Sequence, residues 1–130
     1  MKPEWVQFKP IGLIHTPYQA SEGTPIQPFK AKGISGQVEL FPEYTSALKD
    51  LEGFERIWLI YWFHRSRDAD LTVIPYMDTQ ARGLFATRAP NRINPVGLSA
   101  VRLISIDANI LAVEDVDMLA VSYTHLRAHE

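Results

Sequence analysis

The densest concentration of chemistry-bearing residue types lies between Gly83 and Ser99, where the chain reads GLFATRAPNRINPVGLS. It sets Arg88, Arg92, Asn94 and two prolines between two strand-like segments. Prolines pre-set the backbone, and arginines offer forked donors to phosphate, carboxylate or carbonyl oxygens, so this is the make-up of a rigid anion-reading loop. A proline-stiffened connection with solvated arginines has the same make-up, and the residues alone leave both open. From Thr79 to Ile106 there are four arginines, Arg82, Arg88, Arg92 and Arg102, and no acidic residue, which predicts a local positive patch. A second acid-free stretch, Gly23 to Val38, carries Lys30 and Lys32 beside Thr24, Pro25, Ile26 and Gln27. His64 follows an aromatic run and precedes Arg65, Ser66 and Arg67, so a group that titrates near neutral pH sits beside two cations. A lone histidine at a strand end is nonetheless more often a satisfied boundary residue, and His15 reads the same way. His125 and His129 are four apart, but the HExxH order with its catalytic glutamate is absent, so they read as tail residues and no metal site is expected.

Composition narrows the classes. The chain of 130 residues is the length of one domain, with 46% hydrophobic and 22% charged residues, the balance of a folding chain rather than a disordered one. Thirteen basic against fifteen acidic residues give a net charge of −2, so any polyanion must meet a local patch and not a whole-molecule field. The absence of cysteine excludes a disulfide framework, a thiolate metal site and a thiol nucleophile, and suits the cytoplasm. The longest apolar run, Ile57 to Phe63, is seven residues, against the roughly twenty of a membrane helix. No signal peptide, Walker loop, GxGxxG or GxSxG pattern occurs.

The elements that must position these residues are mostly strands. Residues 8–15 (FKPIGLIH) predict a first strand, ended by Thr16 and Pro17, and residues 19–32 a long polar loop. Ile34, Gly36, Val38 and Leu40 alternate with polar residues, the period of a half-buried strand. Over 43–51 the period changes: Tyr44, Leu48 and Leu51 share a helical face, Pro42 suits the entry and Gly53 the exit, which predicts the one short helix. Residues 56–64 (RIWLIYWFH) are apolar without alternation, predicting a central strand covered on both faces, with Trp58, Tyr61, Trp62 and Phe63 as core and not as a base-stacking platform. Residues 71–77 and 83–87 predict shorter strands, and 97–106 with 109–113 a last pair around Asp107 and Ala108. The fold class is all-β, a barrel or sandwich with one short helix.

The run GLFATRAPNRINPVGLSAVRL, from Gly83 to Leu103, closely resembles the signature of the TsaA-like family, whose characterised members are tRNA N6-threonylcarbamoyladenosine methyltransferases, called TrmO. Ile11-Gly12-Leu13-Ile14-His15-Thr16-Pro17, Pro25-Ile26-Gln27, Leu51-Glu52-Gly53-Phe54-Glu55-Arg56-Ile57-Trp58 and Phe63-His64 fall in the family's order and spacing, so the resemblance covers 11–119. It implies a small antiparallel β-barrel that binds S-adenosylmethionine near a homodimer interface, with no metal. It also implies methylation of N6 of threonylcarbamoyladenosine beside the anticodon of tRNA. Carried onto this chain, the implied cofactor residues are Gln27, His64, Arg88, Arg92, Asn94, Pro95, Asp117 and Leu119. Arg88 or Arg92 is the expected clamp for the cofactor carboxylate, and Gln27 and Asn94 readers of polar edges. His64 is the sole candidate base, and Lys30, Lys32, Arg65 and Arg67 are the expected tRNA-phosphate contacts.

The sequence departs from the family at three places. Ile93 stands where proline is usual, Ile26 where the best-known members have arginine, and after Val116-Asp117-Met118-Leu119 the family's Asp-Gly-Thr-Pro is replaced by AVSYTHLRAHE. That ending resembles translated sequencing-adapter tails. The expected organisation is therefore a single domain over 1–119, incomplete at its C-terminus, and a non-native tail over 120–130. A barrel lacking its closing strand, with an unpaired edge and impaired dimer formation and activity, follows from it. Two other functions remain beside the methyltransferase: a non-catalytic barrel binding a small ligand or RNA, and a methyltransferase of the same fold with another acceptor.

Overall fold

The computed structural model describes residues 4–17, 33–64, 68–75 and 77–117, and the backbone of 121–128. Eight strands occur there: β1 (Gly12–His15), β2 (Ser35–Leu40), β3 (Arg56–Trp62), β4 (Thr72–Val73), β5 (Arg82–Gly83), β6 (Val96–Asp107), β7 (Ile110–Glu114) and β8 (Val121–Ala128). Six of them close into a barrel in the order β1-β2-β7-β6-β3-β8, every neighbouring pair antiparallel, and β4 and β5 form a separate two-stranded sheet. The expected small antiparallel barrel is the observed architecture.

Alternation decides what fills it. Ile57, Leu59 and Tyr61 of β3 face inward, opposite Val101, Ser99 and Gly97 of β6, and Val38, Leu40, Leu111 and Val113 close the core from β2 and β7. The central strand therefore differs from the reading of an element covered on both faces: its even positions point outward and Trp62 is half-exposed, although its sequence is apolar throughout. Between Leu103 and Ser105 the register of β6 against β7 shifts by one residue, placing exposed Ile104 in a bulge. The shift lets both Leu103 and Ile106 pack against the core, which strict alternation forbids. The β6–β7 hairpin turns through Ala108, whose φ is 52°, and Asn109 Nδ2 donates to the Leu40 carbonyl at 2.7 Å, tying the turn to β2.

Several boundaries move for identifiable reasons. The first strand begins at Gly12 and not at residue 8, beyond Pro10, which has no N–H for a ladder. The helix expected over 43–51 is a 3-10 helix, Pro42–Leu48, followed by a second short one, Leu51–Gly53, because Asp50 between them has a left-handed φ of 69°. Leu48 and Leu51 are buried as expected, and Tyr44 packs beside them. Of the strand expected over 71–77 only β4 forms. That expected over 83–87 is instead the end of β5 and a 3-10 turn, Leu84–Ala86, whose buried Leu84 donates its N–H to Leu71. The residues of the polar loop over 19–32 lie outside the described ones.

The largest correction concerns the tail. The barrel expected to lack its closing strand is closed: the backbone of β8 pairs with β1 on one side and β3 on the other, so neither edge is left open there. Any extended segment supplies the same N–H and C=O groups, so backbone pairing does not require a family-type sequence.

Leu59 has no exposed surface and Leu71 is 68% exposed. Leu59→Ala is expected to lower unfolding free energy by about 2–5 kcal/mol, and Leu71→Ala by less than about 0.5 kcal/mol, as read by urea denaturation. Equal losses would contradict the barrel packing.

Candidate functional site

The site grows from a serine in an apolar strand. Gly97, Ser99 and Val101 are the inward positions at the start of β6, and among these only Ser99 carries a polar side chain. Its hydroxyl is buried and needs partners. It donates to Asp117 Oδ1 at 2.7 Å, receives Arg88 Nη2 at 3.0 Å and lies 2.8 Å from the Tyr61 hydroxyl. One hydroxyl has one proton, already committed to the carboxylate, so Tyr61 is the donor to Ser99. Arg88 completes the cluster: Nη1 donates to Asp117 Oδ2 at 2.7 Å and Nη2 also to the Leu98 carbonyl at 3.1 Å. The Asp117 side chain is 1% exposed, so its charge is held inside the protein by these bonds.

Four parts of the chain meet here: β3 through Tyr61, β6 through Ser99, the loop before β6 through Arg88, and the segment after β7 through Asp117. Gly97 makes room for the meeting. A Cβ there would stand 2.5 Å from Tyr61 Cε2 and 2.8 Å from Phe63 Cζ, so the tyrosine ring occupies the space a side chain would take. Phe63 meets that ring edge-on at 5.5 Å. Burial, reinforced by the negative charge of Asp117, pushes the Tyr61 phenol up to about 12, against the lowering influence of the Ser99 hydrogen bond and of Arg88.

Arg88, Asn94, Pro95, Asp117 and His64 are drawn to this end of the barrel by hydrogen bonds or by neighbours in the chain. Pro95 O accepts the Phe63 N–H at 2.7 Å, which brings the loop's end against the residue preceding His64. His64 donates its own N–H to Trp62 O, and its ring stands 6.3 Å from the Trp62 ring. Arg92 Nη1 donates to the carbonyls of Thr87 and Ala89, pinning the loop from within. Asn94 is exposed and its carbonyl accepts the Val96 N–H. Gln27, Lys30, Lys32, Arg65, Arg67 and Leu119 lie outside the described residues.

Two expectations change. The fork of Arg88 is turned inward onto Asp117, Ser99 and Leu98, so it organises the site and is not an open anion clamp. The positive patch expected over 79–106 is largely neutralised by acids from outside that window. Arg82 pairs with Asp78 at 3.0 Å, Arg88 with Asp117, and Arg102 with Glu114 at 3.7 Å. The backbone N–H of Gln80, the Arg82 side chain and the Thr79 N–H hold the Asp78 carboxyl below the usual range. Among the described residues, Arg92 is the arginine of that window without a carboxylate partner. Tyr61 and Ser99 were not legible as site residues. The available signal for Ser99 was a hydroxyl at an inward position of an alternating strand.

A cleft of about 300 Å³ lies elsewhere, lined by Gly33, Glu55, Arg56, Arg102, Glu114 and Asp115. It shares no residue with the Ser99 cluster, and both its arginines are paired with acids, Arg56 with Asp115 at 3.2 Å. The Ser99 cluster is the better site because it joins the arginine–proline loop to the barrel. Among the described residues no group of three metal-ligating side chains occurs, and no helix is long and apolar enough to cross a membrane.

Residues 13–123 match the family described as the tRNA-methyltransferase O N-terminal domain. The chain is 50% identical over 117 residues to a Pyrococcus abyssi protein described as a probable S-adenosyl-L-methionine-binding protein, covering 90% of this chain and 64% of that one. It is 32% identical over 123 residues to the Escherichia coli tRNA (adenine(37)-N6)-methyltransferase, covering 87% of this chain and 52% of the relative. A crystal structure of TrmO superimposes with a TM-score of 0.80 at 28% identity, over 100% of this chain and 57% of the other. The chain thus spans roughly half to two-thirds of the length of these relatives.

The elevated Tyr61 pKa has a signed consequence. A free phenol ionises near pH 10 and the buried one near 12, so the stabilisation tied to the protonated phenol is whole below pH 10 and is lost as pH rises towards 12. Ultraviolet phenolate titration is expected to show one of the five tyrosines ionising near pH 12, absent in Tyr61→Phe. Loss of an ordinary tyrosine from the titration instead would refute the buried assignment.

Proposed function

The chain belongs to the tRNA-methyltransferase O N-terminal domain family, and on that premise we propose that it binds S-adenosylmethionine and methylates N6 of threonylcarbamoyladenosine beside the anticodon of tRNA. The observation that carries the reading is the arginine–proline loop fastened to the barrel through buried Asp117, within a match that runs over 13–123. The Escherichia coli relative's name supports the reaction class, and the archaeal relatives' names support the cofactor.

The donor set fits the cofactor. S-adenosylmethionine supplies an electrophilic methyl on a sulfonium, together with a carboxylate and an adenine. Arg92 has no carboxylate partner among the described residues and one guanidinium nitrogen already fixed on loop carbonyls, so it is the residue assigned to the cofactor carboxylate. Trp62 and Leu98 are half-exposed, project from the outer faces of β3 and β6 and offer apolar surface to a base. Arg88, Ser99 and Asp117 keep the loop from moving relative to them. In-line transfer to nitrogen gains chiefly from such positioning, and His64 is the residue assigned to accept the N6 proton. Gln27, Asn94, Pro95 and Leu119 remain assigned to the cofactor, and Lys30, Lys32, Arg65 and Arg67 to tRNA phosphates. A cytoplasmic homodimer, and a native domain over 1–119 with a non-native tail over 120–130, belong to the same proposal.

A second reading is a module that binds without methylating, favoured by the archaeal relatives being named for binding and by the chain spanning 64% of the Pyrococcus protein. Radiolabelled methyl transfer separates the readings. Label is expected in tRNA carrying threonylcarbamoyladenosine and not in tRNA lacking it. Cofactor binding without transfer to either selects the binding module, and equal labelling of both selects another acceptor. Arg92→Gln is expected to weaken S-adenosylmethionine at least about tenfold in calorimetry, the size of a charge-assisted contact. Unchanged affinity would remove Arg92 from the cofactor site.

A further inference from the structure

Resting on the cofactor reading above, we infer that Ser99 is a positioning residue: its hydroxyl, held by Tyr61, sets the geometry of Arg88 and Asp117 and so fixes the loop over 87–95 against the barrel. It touches both members of the ion pair, at 3.0 Å to Arg88 and 2.7 Å to Asp117, while lying on the regular strand β6. Apart from the Arg88 Nη2 bond to the Leu98 carbonyl, which leaves Asp117 untied, the ion pair joins two segments outside the barrel strands and lacks a reference on the barrel. Ser99 supplies that reference, because its backbone is locked opposite Leu59 in the β3–β6 ladder. Tyr61 adds a second tie from β3, as donor to a serine whose own proton goes to Asp117.

The consequence reaches the proposed cofactor contact. Arg88 is fixed at one end of the loop, and Arg92 Nη1 binds the carbonyls of Thr87 and Ala89 on either side of Arg88. Arg92 therefore takes its place from the same anchor. Loss of the Ser99 hydroxyl strands two buried partners at once, Tyr61 OH and Asp117 Oδ1, and leaves Arg88 Nη2 with the Leu98 carbonyl, so the loop relaxes to satisfy them elsewhere.

The test is hydrogen exchange and S-adenosylmethionine calorimetry on this chain with Ser99→Ala, Tyr61→Phe, and the matched pair Ser99→Thr and Ser99→Val. Thr and Val have the same shape and differ in the hydroxyl. In Ser99→Ala the loop amides of Thr87 and Arg92, and the Phe63 amide bonded to the loop carbonyl of Pro95, are expected to exchange at least about tenfold faster, with Val38 and Leu111 of the far strands unchanged. Cofactor affinity falls by a similar factor. Tyr61→Phe gives a smaller change of the same kind, because Arg88 and Asp117 keep Ser99. Should Ser99→Ala loosen Val38 and Leu111 too, the matched pair decides: Thr closer to wild type than Val supports the inference, and Thr equal to Val overturns it. Unchanged loop exchange in Ser99→Ala also overturns it, even where the melting temperature falls, since a merely structural serine lowers stability without freeing the loop. If the wild-type chain does not bind S-adenosylmethionine, the cofactor reading fails, and loop exchange still decides the role of Ser99.

Discussion

An ionised carboxylate removed from water must be met by charge and hydrogen bonds, and Asp117 imposes that constraint on this molecule. Taking one partner from such a pair leaves an uncompensated buried charge, a loss of about 3–5 kcal/mol where it has been measured in other proteins. The loop over 87–95 is consequently folded back so that Arg88 reaches Asp117, and β6 offers a serine where its neighbours offer valine and glycine. Gly97 follows from the same demand, since the tyrosine that donates to that serine lies over its Cα.

Asp117 ends a short acidic segment that serves several arginines. Glu114 pairs with Arg102 across the β6–β7 ladder, Asp115 with Arg56 of β3, and Asp117 with Arg88 of the loop. Between them Val116 is completely buried, and its side chain would collide with a Cβ at Gly36. Asp115 makes the turn possible with a left-handed φ of 67° and accepts the Gly33 N–H at 2.7 Å. Four consecutive residues thus carry the chain from the ladder to the site, with the apolar one directed inward and the acids directed to arginines.

This arrangement explains where charge remains available. A cation paired with a buried acid is part of the scaffold, whereas Arg92 is bonded to neutral carbonyls and its charge is not offset by a carboxylate among the described residues. A run of arginines along a sequence is therefore a poor map of potential. Three of the four between Thr79 and Ile106 find acids that lie outside that window, one of them at the end of β7 and another beyond it.

Much of the fold was legible because strand alternation and turn chemistry are local. The alternation of β2, the β6–β7 hairpin around Ala108, and the short apolar face of Leu48 and Leu51 follow from side-chain period and backbone preference over a few residues. The motif around Arg88 was legible as a motif. What escaped depended on pairing between distant segments: the inward place of Tyr61 and Ser99, the bulge at Ile104, the outward turn of Trp62, the neutralised arginines, and β8 closing the barrel. The sequence by itself determined the strand-rich class, the family pattern and the residues from which a site must be built. Only the tertiary structure decided which of them meet, because burial and charge pairing depend on distance in space, and a barrel sets that distance by register and not by separation along the chain.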